Sequence, residues 1–400
     1  MTEAWRVKHA CPQCGGPVDL GETDRLFACP YCRVRFYMTS QDADRFYIVP
    51  PDPDAETLFF APYWRFRGYV LACVPYEGKE TFMDATIRAV ASDRLPLSLG
   101  LTTQTQTLRY LSPDTPGRFL ELELSLDDAL PVMEDRARIM EETFHKNYFG
   151  EAVSLIYAPF LEARDGTIVD PIRKKSLGPE DHPRSYIGNP GWEVRFVPAL
   201  CPGCGWDMDG PRNALALFCR NCRRAWAAGP DGFAELEYYV RQAEEAAAQY
   251  LPFWRLEAEI EGFDLRSYAD LVAAANLPKV IKPEWNDRPF YFWTPAFKLP
   301  GPLFKRLARN ATMAQPRAED RSAEVTAPLQ PVTLSSHEAA AIMKSLLAEI
   351  ASAKRKVLPK LPDIQVTLRR TRLAYFPFQA VGNELYNSDM QLTVNQGLVG

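Results

Sequence analysis

Eight of the nine cysteines in this 400-residue chain fall into four Cys-x-x-Cys pairs, and the pairs form two sets of equal spacing. Cys11-Pro-Gln-Cys14-Gly15 is followed by Cys29-Pro-Tyr-Cys32. Cys201-Pro-Gly-Cys204-Gly205 is followed by Cys219-Arg-Asn-Cys222. Each pair places two sulfurs on one tight turn, and a short hairpin brings two such turns together. Zn²⁺ accepts the resulting tetrahedron of thiolates at about 2.3 Å per bond. The glycine after each leading pair suits a turn whose backbone N–H groups point at sulfur. Two Zn²⁺ per chain are therefore expected, held by Cys11, Cys14, Cys29 and Cys32 and by Cys201, Cys204, Cys219 and Cys222. Iron is the rival ion, since it also takes four thiolates. Four thiolates leave no open coordination position, so the metal is expected to be structural rather than catalytic.

The spacing extends beyond the cysteines. An offset of 190 residues carries Cys11 onto Cys201 and each other ligand onto its counterpart. It also carries Asp19 onto Asp209, Arg33 onto Arg223, Phe36 onto Trp226, and Pro62-Tyr-Trp-Arg65 onto Pro252-Phe-Trp-Arg255. Further on the offset grows in steps. Thr103 and Gln106 meet Thr312 and Gln315, Ser125-Leu-Asp-Asp128 meets Ser335-Ser-His-Glu338, and Tyr157-Ala-Pro-Phe160 meets Tyr375-Phe-Pro-Phe378. The first step fits an insertion of helical character around Ser267 to Pro278. An ordered series of this kind points to a tandem duplication.

The expected fold class is α+β: two tandem units, each a small zinc ribbon followed by an antiparallel β-rich domain with one main helix. The boundaries are 8–40 for the first ribbon and 46–178 for its domain, 179–197 for a linker, 198–230 for the second ribbon and 236–400 for its domain. Leu58 to Val74 is rich in aromatic and β-branched residues and is expected to form a strand. Gly117 to Leu124 alternates, with one buried and one wet face. Ser125 with Asp128 and Ser335 with Glu338 mark helix starts, predicting helices near 126–146 and 336–356. Val153 to Phe160 and Leu373 to Ala380 are expected late strands.

A ribbon followed by Ala61-Pro-Tyr-Trp-Arg-Phe66, or by Leu251-Pro-Phe-Trp-Arg-Leu256, resembles a group of bacterial zinc-ribbon proteins of unassigned function. In these a TFIIB-type or rubredoxin-like knuckle precedes a β-rich domain opened by a similar step. The resemblance implies a fold and a metal rather than a reaction. The doubled unit departs from the single-copy pattern.

The remaining residues favour no enzyme class. No Gly-rich phosphate loop is present. The histidines, His9, His145, His182 and His337, pair by sequence with no nucleophile. Glu121 and Glu123 share a strand face that alternation assigns to solvent, and Cys73 lies in an apolar strand that predicts a buried thiol. Arg33, Arg35, Arg220, Arg223 and Arg224 beside the knuckles either bind phosphate or offset the charge of each Zn(Cys)₄ centre. Tyr63, Trp64, Phe253 and Trp254 are either core aromatics or stacking platforms for single-stranded nucleic acid. Basic clusters such as Arg173-Lys-Lys175, Lys305-Arg306, Lys354-Arg-Lys356 and Arg369-Arg370 are diluted by acids. The formal charge of −5 disfavours nucleic acid as partner. A non-enzymatic scaffold or complex subunit with a protein partner is the leading expectation, and a nucleic-acid-binding protein using the arginines is the alternative. No stretch approaches the ~20 apolar residues of a membrane span. The first residues lack the apolar run of a signal peptide, and cysteine pairs of this kind suit the cytoplasm.

Overall fold

In the computed structural model the described residues are 6–40, 42–53, 56–75, 77–100, 106–137, 139, 142–179, 185–229, 232–243, 247–317 and 327–399. Mixed α+β structure, rich in strand, runs through them. An 11-stranded and a 6-stranded sheet form the two large layers, and a 3-stranded and a 4-stranded sheet belong to the cysteine hairpins.

Each large sheet is built on one long antiparallel pair. Leu58–Cys73 pairs with His145–Glu162 over its whole length, and Gln249–Glu261 pairs with Gln365–Val381. Aromatic and branched side chains dominate the central stretches, Leu58–Phe66 and Leu155–Phe160 in one pair and Tyr250–Trp254 and Leu373–Phe376 in the other, where both faces are buried. The register agrees between the two pairs: Pro62 faces Tyr157 and Trp64 faces Leu155, while Pro252 faces Tyr375 and Trp254 faces Leu373.

A proline inside a central strand normally breaks a ladder, because it has no N–H to donate. Here each proline falls where the strand changes partners on its other edge. Gly78–Arg88 covers Tyr63 to Cys73, and Arg118–Leu120 covers Phe59 and Phe60. Pro62 lies in the gap between them, and only its carbonyl is used, accepting from Ala89 N at 2.9 Å. In the other sheet Phe292–Pro295 covers Phe253 to Leu256, and Tyr250 bridges to Leu329. Pro252 lies between, and its carbonyl accepts from Ala296 N at 2.9 Å.

The tryptophan two residues on anchors the next element. Trp64 Nε1 donates to the carbonyl of Leu124 at 2.7 Å, and Trp254 Nε1 to that of Leu334 at 2.9 Å. Ser125 and Ser335 follow directly and cap the helices Leu126–Arg136 and Ser336–Ala341. Trp64, Trp254, Tyr63 and Phe253 are all buried. That places them in the cores rather than on a face where bases could stack.

The helices depart from expectation. The first stops at Arg136, not 146, because residues from His145 onward are drawn into pairing with Cys73 and the residues before it. The second is divided into Ser336–Ala341, Met343–Ile350 and Lys354–Val357. Among the described residues, one main helix per unit describes only the first half. The second half also contains Gly301–Ala314 and, within the expected insertion, Tyr268–Ala274. Thr312 and Gln315 lie buried at the end of the longer helix, where Thr312 bonds the backbone of Trp293. Thr103 lies outside the described residues, as do residues 180–184 of the expected linker.

The two halves share packing. Leu71, Cys73 and Phe149 of the first half belong to the core of the second. Phe149 stacks on Phe304 at 4.4 Å, and Ser345 donates to Asn147 at 2.5 Å. Lys305 sits between Glu80 and Glu349. Within 179–197, Trp192 is buried and its indole donates to Asp42 at 2.8 Å.

One buried ion cluster ties the first hairpin to its sheet. Arg65 is almost fully covered; it donates to Glu22 and, through Nε and Nη2, to both oxygens of Asp84 at 3.1 and 3.2 Å. Burial raises the Glu22 carboxyl above its ordinary pKa, against the pull of Arg65 and Arg67. Removing one partner of such a cluster leaves an uncompensated buried charge. Arg65→Ala is expected to cost about 3–5 kcal/mol of unfolding free energy; a loss below about 1 kcal/mol in denaturant melts, the scale of a surface pair, would mean that the cluster is solvated.

His145 supplies a pH dependence. Burial, and secondarily the charge of Lys344, depress its pKa from 6.5 to about 4. The folded chain therefore holds it neutral where the unfolded chain binds a proton. Its contribution to stability is complete above pH 6.5 and is lost as pH falls towards 4. Thermal melts between pH 7 and pH 4 should show His145→Gln losing less stability than the parent chain. Identical slopes would contradict this.

Candidate metal centres

Each cluster begins with a hairpin whose strands cannot bury a core of their own. In the first, Pro17–Gly21 runs back along Arg6–Ala10, and Leu26–Ala28 pairs with Arg35–Thr39. In the second, Met208–Asp209, Ala216–Cys219, Ala225–Gly229 and Gly232–Leu236 form a meander. The cysteine pairs occupy the turns at the ends of these strands.

The four turns repeat one set of bonds. Gly15 N donates to Cys11 O and Gly205 N to Cys201 O, both at 2.8 Å. Arg33 N donates to Cys29 O and Arg223 N to Cys219 O, both at 2.9 Å. The residue closing each turn is left-handed: Gly15 at φ 71° and Gly205 at 73°, Arg33 at 62° and Arg223 at 59°. Glycine takes this conformation freely; the two arginines are held in it by the turn.

The eight sulfurs gather as expected. Within each cluster they all lie within 4.8 Å of one another. The nearest pairs are Cys11–Cys32 at 3.8 Å, Cys14–Cys29 at 3.6 Å, Cys201–Cys222 at 3.5 Å and Cys204–Cys219 at 3.4 Å. A tetrahedron with bonds of about 2.3 Å has an edge of about 3.8 Å. The clusters are thus Cys₄ groups compatible with zinc-ribbon sites. Burial agrees position by position: the first and third cysteines are buried, the second exposed and the fourth between.

Ionisation of the sulfurs is uneven. At Cys29 desolvation opposes the charge, but the N–H groups of Cys32 and Tyr31 bring the thiol down to about 6. The Asn221 side chain and the Trp206 N–H bring Cys204 down to about 6. Cys32 goes the other way, up to about 11: the Val34 N–H works to lower it, but desolvation and the other three sulfurs prevail. Cys222 rises to about 12 in the same manner, against the Arg224 N–H. One thiolate forms readily and resists the next, as like charges at such distances must. A dication removes that conflict, so the donor set fits a divalent metal.

The two hairpins also lean on each other. Arg195–Pro198, just ahead of the second cluster, pairs with Arg35–Thr39, just behind the first. Leu26 N donates to Arg212 O at 2.8 Å, and Tyr37 Oη to Ala214 O at 2.8 Å. Leu26 and Tyr37 share a core with Cys201, Met208, Cys219 and Trp226.

Three of the five flanking arginines have acidic partners. Arg35 and Arg220 both bind Asp209, and Arg224 lies 3.6 Å from Glu235. His9 stacks on Phe196 at 4.7 Å, and burial lowers its pKa. Cys73 belongs to neither cluster; it is buried, and desolvation pushes it up to about 11. Glu121 and Glu123 are exposed, and so is His337; His182 lies outside the described residues. Arg369 binds Glu259, and Lys354 lies 3.7 Å from Glu349. The pairing of the two hairpins had no signature in the sequence. The Glu22–Arg65–Asp84 cluster had one, an arginine inside an aromatic strand.

Because the hairpins share a core, damage to one is expected to reach the other. Cys219→Ser should empty the second cluster and also speed chelator extraction of metal from the first by at least about tenfold, the loss of roughly 1.4 kcal/mol. Loss of one ion with unchanged extraction of the other would show two independent hairpins.

The chain matches no protein family, no curated protein and no solved structure.

Proposed function

We propose that both clusters hold Zn²⁺, and that the chain serves as a non-enzymatic scaffold or subunit of a larger protein complex. The carrying observation is the pair of four-sulfur clusters, each gathered within 4.8 Å and with two S–S contacts of 3.4–3.8 Å. Four thiolates satisfy the metal completely, which leaves no position for water or substrate. The metal then contributes folding energy, on the order of 10 kcal/mol per site. A protein whose metal is spent on architecture presents surfaces rather than a reacting centre.

On the same reading the chain is a tandem duplication, with units bounded near 8–40 and 46–178 and near 198–230 and 236–400. Support comes from the shared register around Pro62 and Pro252, the paired indole bonds of Trp64 and Trp254, and the equivalent serine caps. A reducing compartment such as the cytoplasm would keep these thiols available to metal. No helix among the described residues is long and apolar enough to cross a membrane.

Elemental analysis of the purified chain should find two zinc ions, and affinity capture from native lysate should retain a stoichiometric protein partner. Far less than two bound metal ions would end the metal reading; iron in place of zinc would change the ion and keep the architecture. Recovery only as a lone monomer would count against the scaffold.

A second reading, nucleic-acid binding, draws on the second hairpin. Trp206 is 60% exposed there, and the Arg220 side chain is 80% exposed. It predicts affinity for single-stranded RNA or DNA that falls steeply with salt and drops when Arg223 and Arg224 are both changed to Ala. Absence of binding at low salt would remove it.

A further inference from the structure

In the first half the long strand Leu58–Cys73 turns directly into Gly78–Arg88. In the second half the chain leaves Gln249–Glu261 for a long excursion before it returns as Phe292–Pro295. The excursion starts with the helix Tyr268–Ala274, set by a capping box of Ser267 and Asp270 and packed through Tyr268, Leu271 and Val272. It turns at Asn276, where φ is 49°, and runs out as Leu277-Pro-Lys-Val-Ile-Lys-Pro283. A short 3₁₀ turn, Pro283–Trp285, brings it back.

The base of this loop is braced on one ring. Lys279 Nζ donates to the Tyr268 hydroxyl at 2.7 Å, the Trp285 ring lies 5.0 Å from the Tyr268 ring, and the Arg288 guanidinium lies 4.4 Å above it. The tip is not covered. Val280 is 87% exposed and Ile281 45% exposed. Val280 and Ile281 thus form a small exposed aliphatic tip on a braced loop.

We infer that the Val280–Ile281 tip is a contact for a lipid surface, seated at the boundary between headgroups and acyl chains of a bilayer that contains anionic lipid. Three observations favour lipid over a protein pocket. Lys279 and Lys282 flank the aliphatic pair and match an anionic headgroup layer; Glu284 and Asp287 follow only on the return. Pro278 and Pro283 remove two backbone N–H groups that insertion would otherwise strip of water. The tip offers roughly 200 Å² of apolar surface, far short of the about 800 Å² per partner of a stable protein interface, whereas a bilayer needs no complementary pocket. Trp285, half-buried behind the tip with the Lys282 amine 6.0 Å from its ring, is the residue type that settles at such a boundary. The net charge of −5 keeps the rest of the chain off an anionic surface, so the contact is local and weak.

The test is co-sedimentation of the full zinc-loaded chain with vesicles of phosphatidylcholine alone and of phosphatidylcholine with a minority of phosphatidylserine. The intact chain should pellet with the mixed vesicles, and Val280→Asp with Ile281→Asp should weaken that partition at least about tenfold. Lys282→Gln should weaken it less, and added salt should reduce the parent's binding. Both variants lie on exposed positions; unchanged metal content and melting would show that folding is intact. The inference is overturned if the intact chain stays in the supernatant with both vesicle types, or if the doubly substituted chain pellets equally. It is also overturned if that double substitution dissolves a self-associated form in the absence of lipid, which would make the tip a contact between copies.

Discussion

The gathering of four sulfurs is the constraint on which each cysteine hairpin depends. A hairpin of some thirty residues buries too little apolar surface to hold itself together. The first and third cysteines of each cluster nevertheless lie buried among Val18, Phe27 and Phe36, or among Leu217 and Trp226. The cores of the hairpins are assembled around the cages. Each cluster gathers sulfurs that would repel one another as thiolates, a conflict that one bound cation would reverse. Arg195–Pro198 and the Leu26–Arg212 bond tie one hairpin to the other.

Beyond the cages a different economy holds. The long strand pairs are stabilised by aromatic burial, and their prolines are tolerated only because each sits at a change of partner. The tryptophan beside each proline then spends its single donor on the carbonyl just before a helix cap. Proline, tryptophan and capping serine thus work as one device, linking strand, crossover and helix start. Arg65 adds the junction between the first hairpin and its sheet. Its counterpart by spacing, Arg255, lies over the Tyr291 ring at 4.7 Å.

Ligand spacing was legible because metal geometry permits few alternatives: four sulfurs at two turns leave only one closed arrangement. The strand pairs were legible in part, since Leu58 to Val74 and the stretches near Phe160 and Phe378 carry strong β preference. The helix after Ser125 was read too long. Its capping signal was sound, but the residues past Arg136 are claimed by long-range pairing with Leu71 and Cys73, and local periodicity does not record that competition. The helix Gly301–Ala314 was not expected; it opens with Pro302, and proline is welcome in a first turn. The packing of the two hairpins was invisible because it rests in part on backbone edges, which are the same for every side chain, and otherwise on contacts between residues far apart in sequence, such as Tyr37 with Ala214.

The pairing of Arg195–Pro198 with Arg35–Thr39 bears on how the polypeptide can be divided. The sequence invites a cut between its two similar halves, near residue 190. Such a cut would leave the amino-terminal piece without the outermost ribbon of its small sheet, exposing the backbone edge of Phe36 to Met38. The carboxy-terminal piece would begin with a ribbon that has nothing to lie against. Two stretches that look separable in one dimension are therefore interleaved in three.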